Sequence, residues 1–139
     1  MSKMIFVNIP VSDLPAATRF YEAIGCRKNA QFSDHQASSM AWSDTITFQL
    51  LAKEYFATFT PKKIADSHAT TGMLLALSRD SRNEDDAIVG AAGAGGGRAA
   101  VRRPQDMGWL YTRAFEDPDG HVFEAIWMET EAASAGANG

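Results

Sequence analysis

A chain of 139 residues has the length of one domain, enough to bury roughly two-thirds of its surface on folding. Hydrophobic residues make up 45% and charged residues 22%, ordinary usage for a globular protein. The formal net charge of −4 speaks against nucleic acid as a main partner, because neutralising phosphates takes a basic face.

In chain order, residues 5–11 are β-rich and read as a first strand; the N-terminus lacks the long apolar core and cleavage site of a signal peptide. Ser12-Asp13-Leu14-Pro15 signals a helix start, with a capping residue and an early proline. Ala17, Phe20, Tyr21 and Ile24 then fall on one helical face, and Gly25 stops the helix. Three short β-prone stretches follow at 28–32, 37–42 and 45–51, punctuated by Ser33-Asp34-His35 and Ser43-Asp44 as turns. The stretch 53–67 mixes aromatics with Pro61-Lys62-Lys63 and reads as a linker holding one or two short helical turns. The order then recurs. Residues 72–78 form an apolar strand, and Ser81-Arg82-Asn83-Glu84 matches a capping box. Ala87, Ile88, Ala91 and Ala92 mark the buried stripe of a second helix, which the glycines of 93–97 end with a frayed turn. Strands at 98–103, 109–115 and 121–128 follow, then a small, polar, flexible tail at 129–139.

The order β-α-β-β-β thus occurs twice, in 4–51 and 71–128, joined by a linker at 52–70. It predicts an α+β fold in a single domain of residues 1–128. Two βαβββ modules would carry helices on their outer faces and form an open cleft lined by the β-sheets.

Alternation splits each strand into two faces. Ile5, Val7, Ile9 and Val11 should pack on the helices, leaving Phe6, Asn8 and Pro10 opposite. Ile46, Phe48 and Leu50 contrast likewise with Thr47, Gln49 and Leu51, and Phe123, Ala125 and Trp127 with Val122, Glu124 and Ile126. The second face is neither dry nor fully polar, which suits a ligand cleft; a partly solvated sheet or a dimer interface accounts for it equally.

The run Phe6-Val7-Asn8-Ile9-Pro10-Val11-Ser12-Asp13-Leu14, continuing to Phe20-Tyr21 and Gly25, resembles the opening of the vicinal oxygen chelate superfamily. That superfamily joins glyoxalases, bleomycin-resistance proteins and extradiol dioxygenases. Phe115-Glu116-Asp117-Pro118-Asp119-Gly120-His121-Val122-Phe123-Glu124 resembles its closing hairpin. Ala65-Asp66 with Thr70-Thr71, and Ala76-Leu77-Ser78-Arg79-Asp80-Ser81-Arg82, look like a branch labelled predicted lactoylglutathione lyase. The resemblance covers residues 5–128. It implies a cleft between paired sheets, a homodimer, and a divalent metal on inward residues of four strands. The positions that align with those ligands are Phe6, Gln49, Met73 and Glu124. Only Glu124 is ionisable; Phe6 has no donor, Met73 suits hard ions poorly, and Gln49 offers one neutral oxygen.

The resemblance and the residues together leave two functions open. One is a glyoxalase/bleomycin-resistance-like protein that binds a small organic molecule in its cleft, with the standard metal site largely lost. The other is a lactoylglutathione lyase-like enzyme, with a non-standard metal site or Glu124 as the catalytic base. Expected ligand-binding residues are Phe6, Asn8, Thr47, Gln49, Met73, Trp109, Tyr111, Arg113 and Glu124. Trp109 and Tyr111 share parity and could stack on a planar ligand. Arg113 could neutralise an anion, or pair with Glu116 or Glu124. Glu124, Gln49 and His121 are the candidate metal ligands; no cofactor is assigned, and a divalent metal is the one left open. His35 and His68 fall in loops and carry no expected role. The glycine run ends a helix instead of starting one and so makes no phosphate loop. Arg98, Arg102 and Arg103, the only basic cluster, read as a solvated strand edge. Cys26 is alone, so neither a disulfide nor a cysteine zinc site can form. No apolar run reaches the length of a membrane span, and a cytoplasmic location is expected.

Overall fold

The computed structural model describes residues 2–130, and the chain divides into two compact units between Thr70 and Thr71. In the first, strand β1 (Ile5–Val11) leads into helix α1 (Leu14–Ala23), followed by β2 (Arg27–Lys28), β3 (Ala37–Ala41) and β4 (Ile46–Ala52). A short helix α2 (Lys53–Phe56) and a single 3-10 turn (Ala57–Phe59) follow. In the second, β5 (Leu75–Ser78) leads into α3 (Arg82–Ala94), then β6 (Gln105–Asp106), β7 (Leu110–Glu116) and β8 (Val122–Met128). The class is α+β and the β-α-β-β-β order is present twice. The sheets run β1-β4-β3-β2 and β5-β8-β7-β6, and neither is closed.

Local chemistry explains the element ends. The Asp13 side chain accepts a hydrogen bond from the Ala16 amide at 3.0 Å, satisfying a free N–H of the first turn of α1. Gly25, just past the helix, has φ +116°, a conformation that side chains disfavour. Ser81 caps α3 by accepting from the Glu84 amide at 3.1 Å. Glu84 reaches back one residue further than a capping box requires, accepting from the Asp80 amide at 2.7 Å.

Each helix covers one face of its own sheet. In the first unit Phe20, Tyr21, Met40, Phe48 and Leu50 are fully buried. The Tyr21 ring sits 5.2 Å from Phe20 and 5.6 Å from Phe48. One buried polar contact joins helix to sheet: Thr18 donates to the Leu14 carbonyl, and its oxygen meets the Ser38 hydroxyl at 2.7 Å. In the second unit Phe115 and Phe123, opposite each other in the β7–β8 register, stack at 5.3 Å with rings 5° from parallel. Ile88, Val89 and Ala92 cover them from α3.

Three sequence expectations need correction. The strand expected at 28–32 stops at Lys28, because the Asn29 side chain caps a 3-10 turn at Ala30–Phe32 by accepting from the Gln31 amide. The strand expected at 98–103 is a loop joined to β7 by one bridge, Arg98 to Glu116; Ala100 at φ +51° turns the chain away and Pro104 has no amide to donate. The buried stripe of α3 is Asp85, Ile88, Val89 and Ala92: Ile88 and Ala92 lie on it as expected, whereas Ala87 is exposed and Ala91 only partly buried. The spacing i, i+3, i+4, i+7 fits those four positions, but one is charged and conceals the pattern. The tail expected at 129–139 lies outside the described residues from 131 onward; the Glu129 amide still donates to the Trp109 carbonyl at 2.7 Å.

Candidate functional site

The sheet face turned away from α1 holds four of the expected residues together. Parallel register sets Phe6 beside Thr47 and Asn8 beside Gln49, and Ser39 of β3 lies on the far side of Gln49. Phe6 is half exposed, whereas Thr47 is buried. The Oε1 atom of Gln49 is buried without a hydrogen-bond partner among the described residues. A carbonyl in that state is an acceptor waiting for a donor.

In the second unit the strand register decides which residues share a face. The tight turn at 117–120 hangs on Asp117, whose fully buried carboxylate accepts from the Asp119 and His121 amides at 3.0 and 2.9 Å. That turn sets Ala114 and Ala76 on either side of Glu124, and Thr112 opposite Ile126. Glu124 therefore lies on the face away from α3, flanked by two small side chains.

Arg102 closes on it. From the loop between α3 and β6, the Arg102 guanidinium makes a charge-assisted hydrogen bond through Nη2 to Oε2 of Glu124. The same nitrogen donates to the Thr112 hydroxyl at 3.3 Å, and that hydroxyl donates to Oε1 of Gln105 at 3.2 Å. The loop is held against β7 by Arg98 and Glu116 exchanging backbone hydrogen bonds at 2.9 Å, and by the Val101 amide on the Ala114 carbonyl at 3.2 Å. Arg102, Thr112 and Gln105 were missed as site residues in the sequence. Thr112 was recoverable from the hairpin: once the turn pairs Glu116 with Val122, counting back puts residues 112 and 114 on the face of Glu124.

Tyr111 and Arg113 point the other way, toward α3. The Tyr111 hydroxyl donates to Oδ1 of Asp86 at 2.7 Å and Arg113 Nη1 donates to the same oxygen at 2.9 Å. These bonds hold the Asp86 carboxyl below its ordinary range, Tyr111 first and Arg113 second, and in return raise the Tyr111 phenol. Arg113 thus pairs with Asp86, not with Glu116 or Glu124. Arg82 stands over the Tyr111 and Trp127 rings, at 5.1 and 5.0 Å, and forks onto Asp106 at 2.6 and 2.9 Å. Trp109 precedes β7 and is 41% exposed. The sheet thus separates Tyr111 and Arg113 from Glu124.

The remaining candidates lie apart as well. Met73 comes two residues before β5 and is exposed, because that strand starts later than 72. His121, one residue before β8, is tied to the Asp117 turn through its amide, with its ring Nε2 4.0 Å from Oδ2 of Asp117. Among the described residues no three His, Cys, Asp or Glu side chains are grouped to hold a metal ion. No helix among them is long and apolar enough to cross a membrane.

Comparison with known proteins agrees with this architecture. Residues 3–125 match the family model of the Glyoxalase/Bleomycin resistance protein/Dioxygenase superfamily, and the chain belongs to that superfamily. A glyoxalase/bleomycin resistance protein/dioxygenase family enzyme from Burkholderia phytofirmans PsJN has a similar structure, with a TM-score of 0.74 and 19% identity over 91% of this chain and 99% of that one. The fosfomycin resistance protein FosX from Mesorhizobium loti gives 0.64 and 19% over 96% of each chain. TnmS3, an antibiotic binding protein from Streptomyces sp. CB03234, gives 0.62 and 25% over 93% and 98%. No curated protein matches the chain.

Proposed function

For a chain of this superfamily, we propose a small-molecule binding protein that uses the Glu124 face of the second sheet and works without a catalytic metal. The observation that carries this reading is the Arg102 guanidinium on the Glu124 carboxylate. A carboxylate oxygen already holding a guanidinium N–H is badly placed to act as a general base, because a substrate proton would first have to displace that donor. It is also a weakened metal ligand, since a divalent ion must first displace the guanidinium.

The other motif-aligned positions do not fit a metal either. Phe6 has no donor atom, Met73 offers a soft thioether, and Gln49 one amide oxygen, against the three protein ligands usual at a catalytic site. The name of TnmS3 as an antibiotic binding protein supports binding as the activity. The lactoylglutathione lyase-like reading takes second place, because its chemistry needs a metal or a free base at Glu124.

The test is calorimetry on chelator-treated protein against bleomycin, fosfomycin and a panel of aromatic natural products, with Arg102→Ala as the control. Metal-free binding that Arg102→Ala weakens supports the proposal. It falls if the protein takes up stoichiometric nickel, zinc or manganese, loses it in Glu124→Ala, and turns over methylglyoxal–glutathione hemithioacetal only when loaded.

A further inference from the structure

The Arg102–Glu124 pair also constrains which ligand chemistry the face accepts, and this rests on reading that face as the binding site. Only Nη2 of Arg102 and Oε2 of Glu124 are used in the bonds between them and to Thr112. The pair is partly exposed, with side chains 33% and 19% accessible. The Arg102 Nε–H is buried without an acceptor among the described residues. The Nη1 amino group of Arg102 is thus left as the donor a ligand can use, beside an unused acceptor, Oε1 of Glu124. Its two neighbours in register are Ala76 and Ala114, with Ile126 next along β8.

Charge narrows the choice. The ionisable side chains on this face of β7 and β8 are Glu116 and Glu124, and each already has an arginine, Arg98 at 3.8 Å and Arg102. An anionic ligand would meet a guanidinium whose charge is spent on Glu124, and would be repelled by that carboxylate. A cationic ligand meets the converse. A neutral group that accepts from Arg102 and donates to Glu124 satisfies both without separating them, and avoids burying an uncompensated charge.

We infer that the Arg102–Glu124 pair selects a neutral, planar group carrying acceptor and donor side by side: a primary carboxamide, lactam or urea edge, with its apolar part over Ala76 and Ile126, since Ala114 is fully buried.

Three probes of one shape separate the possibilities: benzamide, benzoate and benzamidinium. Each is titrated into the protein while the methyl resonances of Ala76 and Ile126 are followed by NMR. Benzamide should shift these methyls and bind about fivefold tighter than either ion, the factor expected of one net hydrogen bond. In Glu124→Gln, which leaves Arg102 uncompensated, the preference should move to benzoate; in Arg102→Gln it should move to benzamidinium. If benzoate or benzamidinium equals benzamide on the unaltered protein, the ligand class is overturned while the face survives as a binding site. If none of the three moves these methyls, the face is not a site, and the proposed function falls with the inference. The ranking on the unaltered protein decides the matter even if a variant fails to fold.

Discussion

Arg102 and Glu124 lie 22 residues apart in the chain, yet they form one ion pair on the second sheet, and the same Arg102 nitrogen also donates to Thr112. Their coupling is measurable. Arg102→Ala leaves a partly buried carboxylate without its cation and should cost about 1–2 kcal/mol of stability. In a double-mutant cycle with Glu124→Ala, urea unfolding should give a coupling of about 1 kcal/mol. Strict additivity would show that the two side chains do not interact in solution.

Asp85 is the buried charge of α3. Its side chain is wholly buried, neither oxygen makes a hydrogen bond of ordinary geometry among the described residues, and burial pushes its carboxyl up to about 6. The Trp127 backbone amide and Arg79 offset this only in part. Unfolded, the group ionises near 3.8. Between about pH 4 and 6 the folded chain therefore holds a proton that the unfolded chain has lost, and the stability contributed by this group falls as pH rises through that window. Asp85→Asn should remove that fall. Its advantage over the unaltered protein should grow from pH 4 to pH 7 toward about 3 kcal/mol, two pKa units' worth. Urea midpoints at four pH values check this, and a flat difference would contradict it.

Cys26 is buried and its thiol is pushed up to about 12 by desolvation. A thiol so disposed has almost no thiolate at neutral pH and should be inert while folded. Alkylation with iodoacetamide at pH 8 should proceed at the rate of unfolding, not of the free thiol. Prompt modification of native protein would refute the assignment.

The Phe115–Phe123 stack carries the core of the second unit. Phe115→Ala should cost about 3–5 kcal/mol, the range of a large cavity in a packed core. Phe115→Leu, nearer in volume, should cost clearly less. Equal losses would mean that the ring's removal, not the void, sets the cost. Thermal unfolding of the two variants separates these outcomes.

Much of this was legible in the residues. Asp13, Gly25 and Ser81 mark helix ends through short-range hydrogen bonds and backbone sterics, so chain position alone reveals them. The alternation Phe6, Asn8 against Ile9, Val11 is likewise local, because neighbouring side chains on one strand must point to opposite faces. The two-module order followed from such signals, and alternation put Phe6 with Asn8 on one face of β1 and Thr47 with Gln49 on one face of β4, each within its own strand.

What the residues could not supply was the relation between strands. Tyr111 and Arg113 share a face with each other by local rule, but only the β7–β8 register, set at the Asp117 turn, placed them opposite to Glu124. Arg102 was hidden more deeply. Nothing local distinguishes it from Arg103. It reaches Glu124 because the chain turns at Ala100 and lies against Ala114. Asp85 shows the same limit from the other side: its place on the helix is local, but its burial depends on the sheet packed over it. Sequence determined the elements and the parity within each, because those forces act over a few residues. Tertiary structure alone decided which charges meet, because an ion pair between distant residues depends on packing that no short window contains.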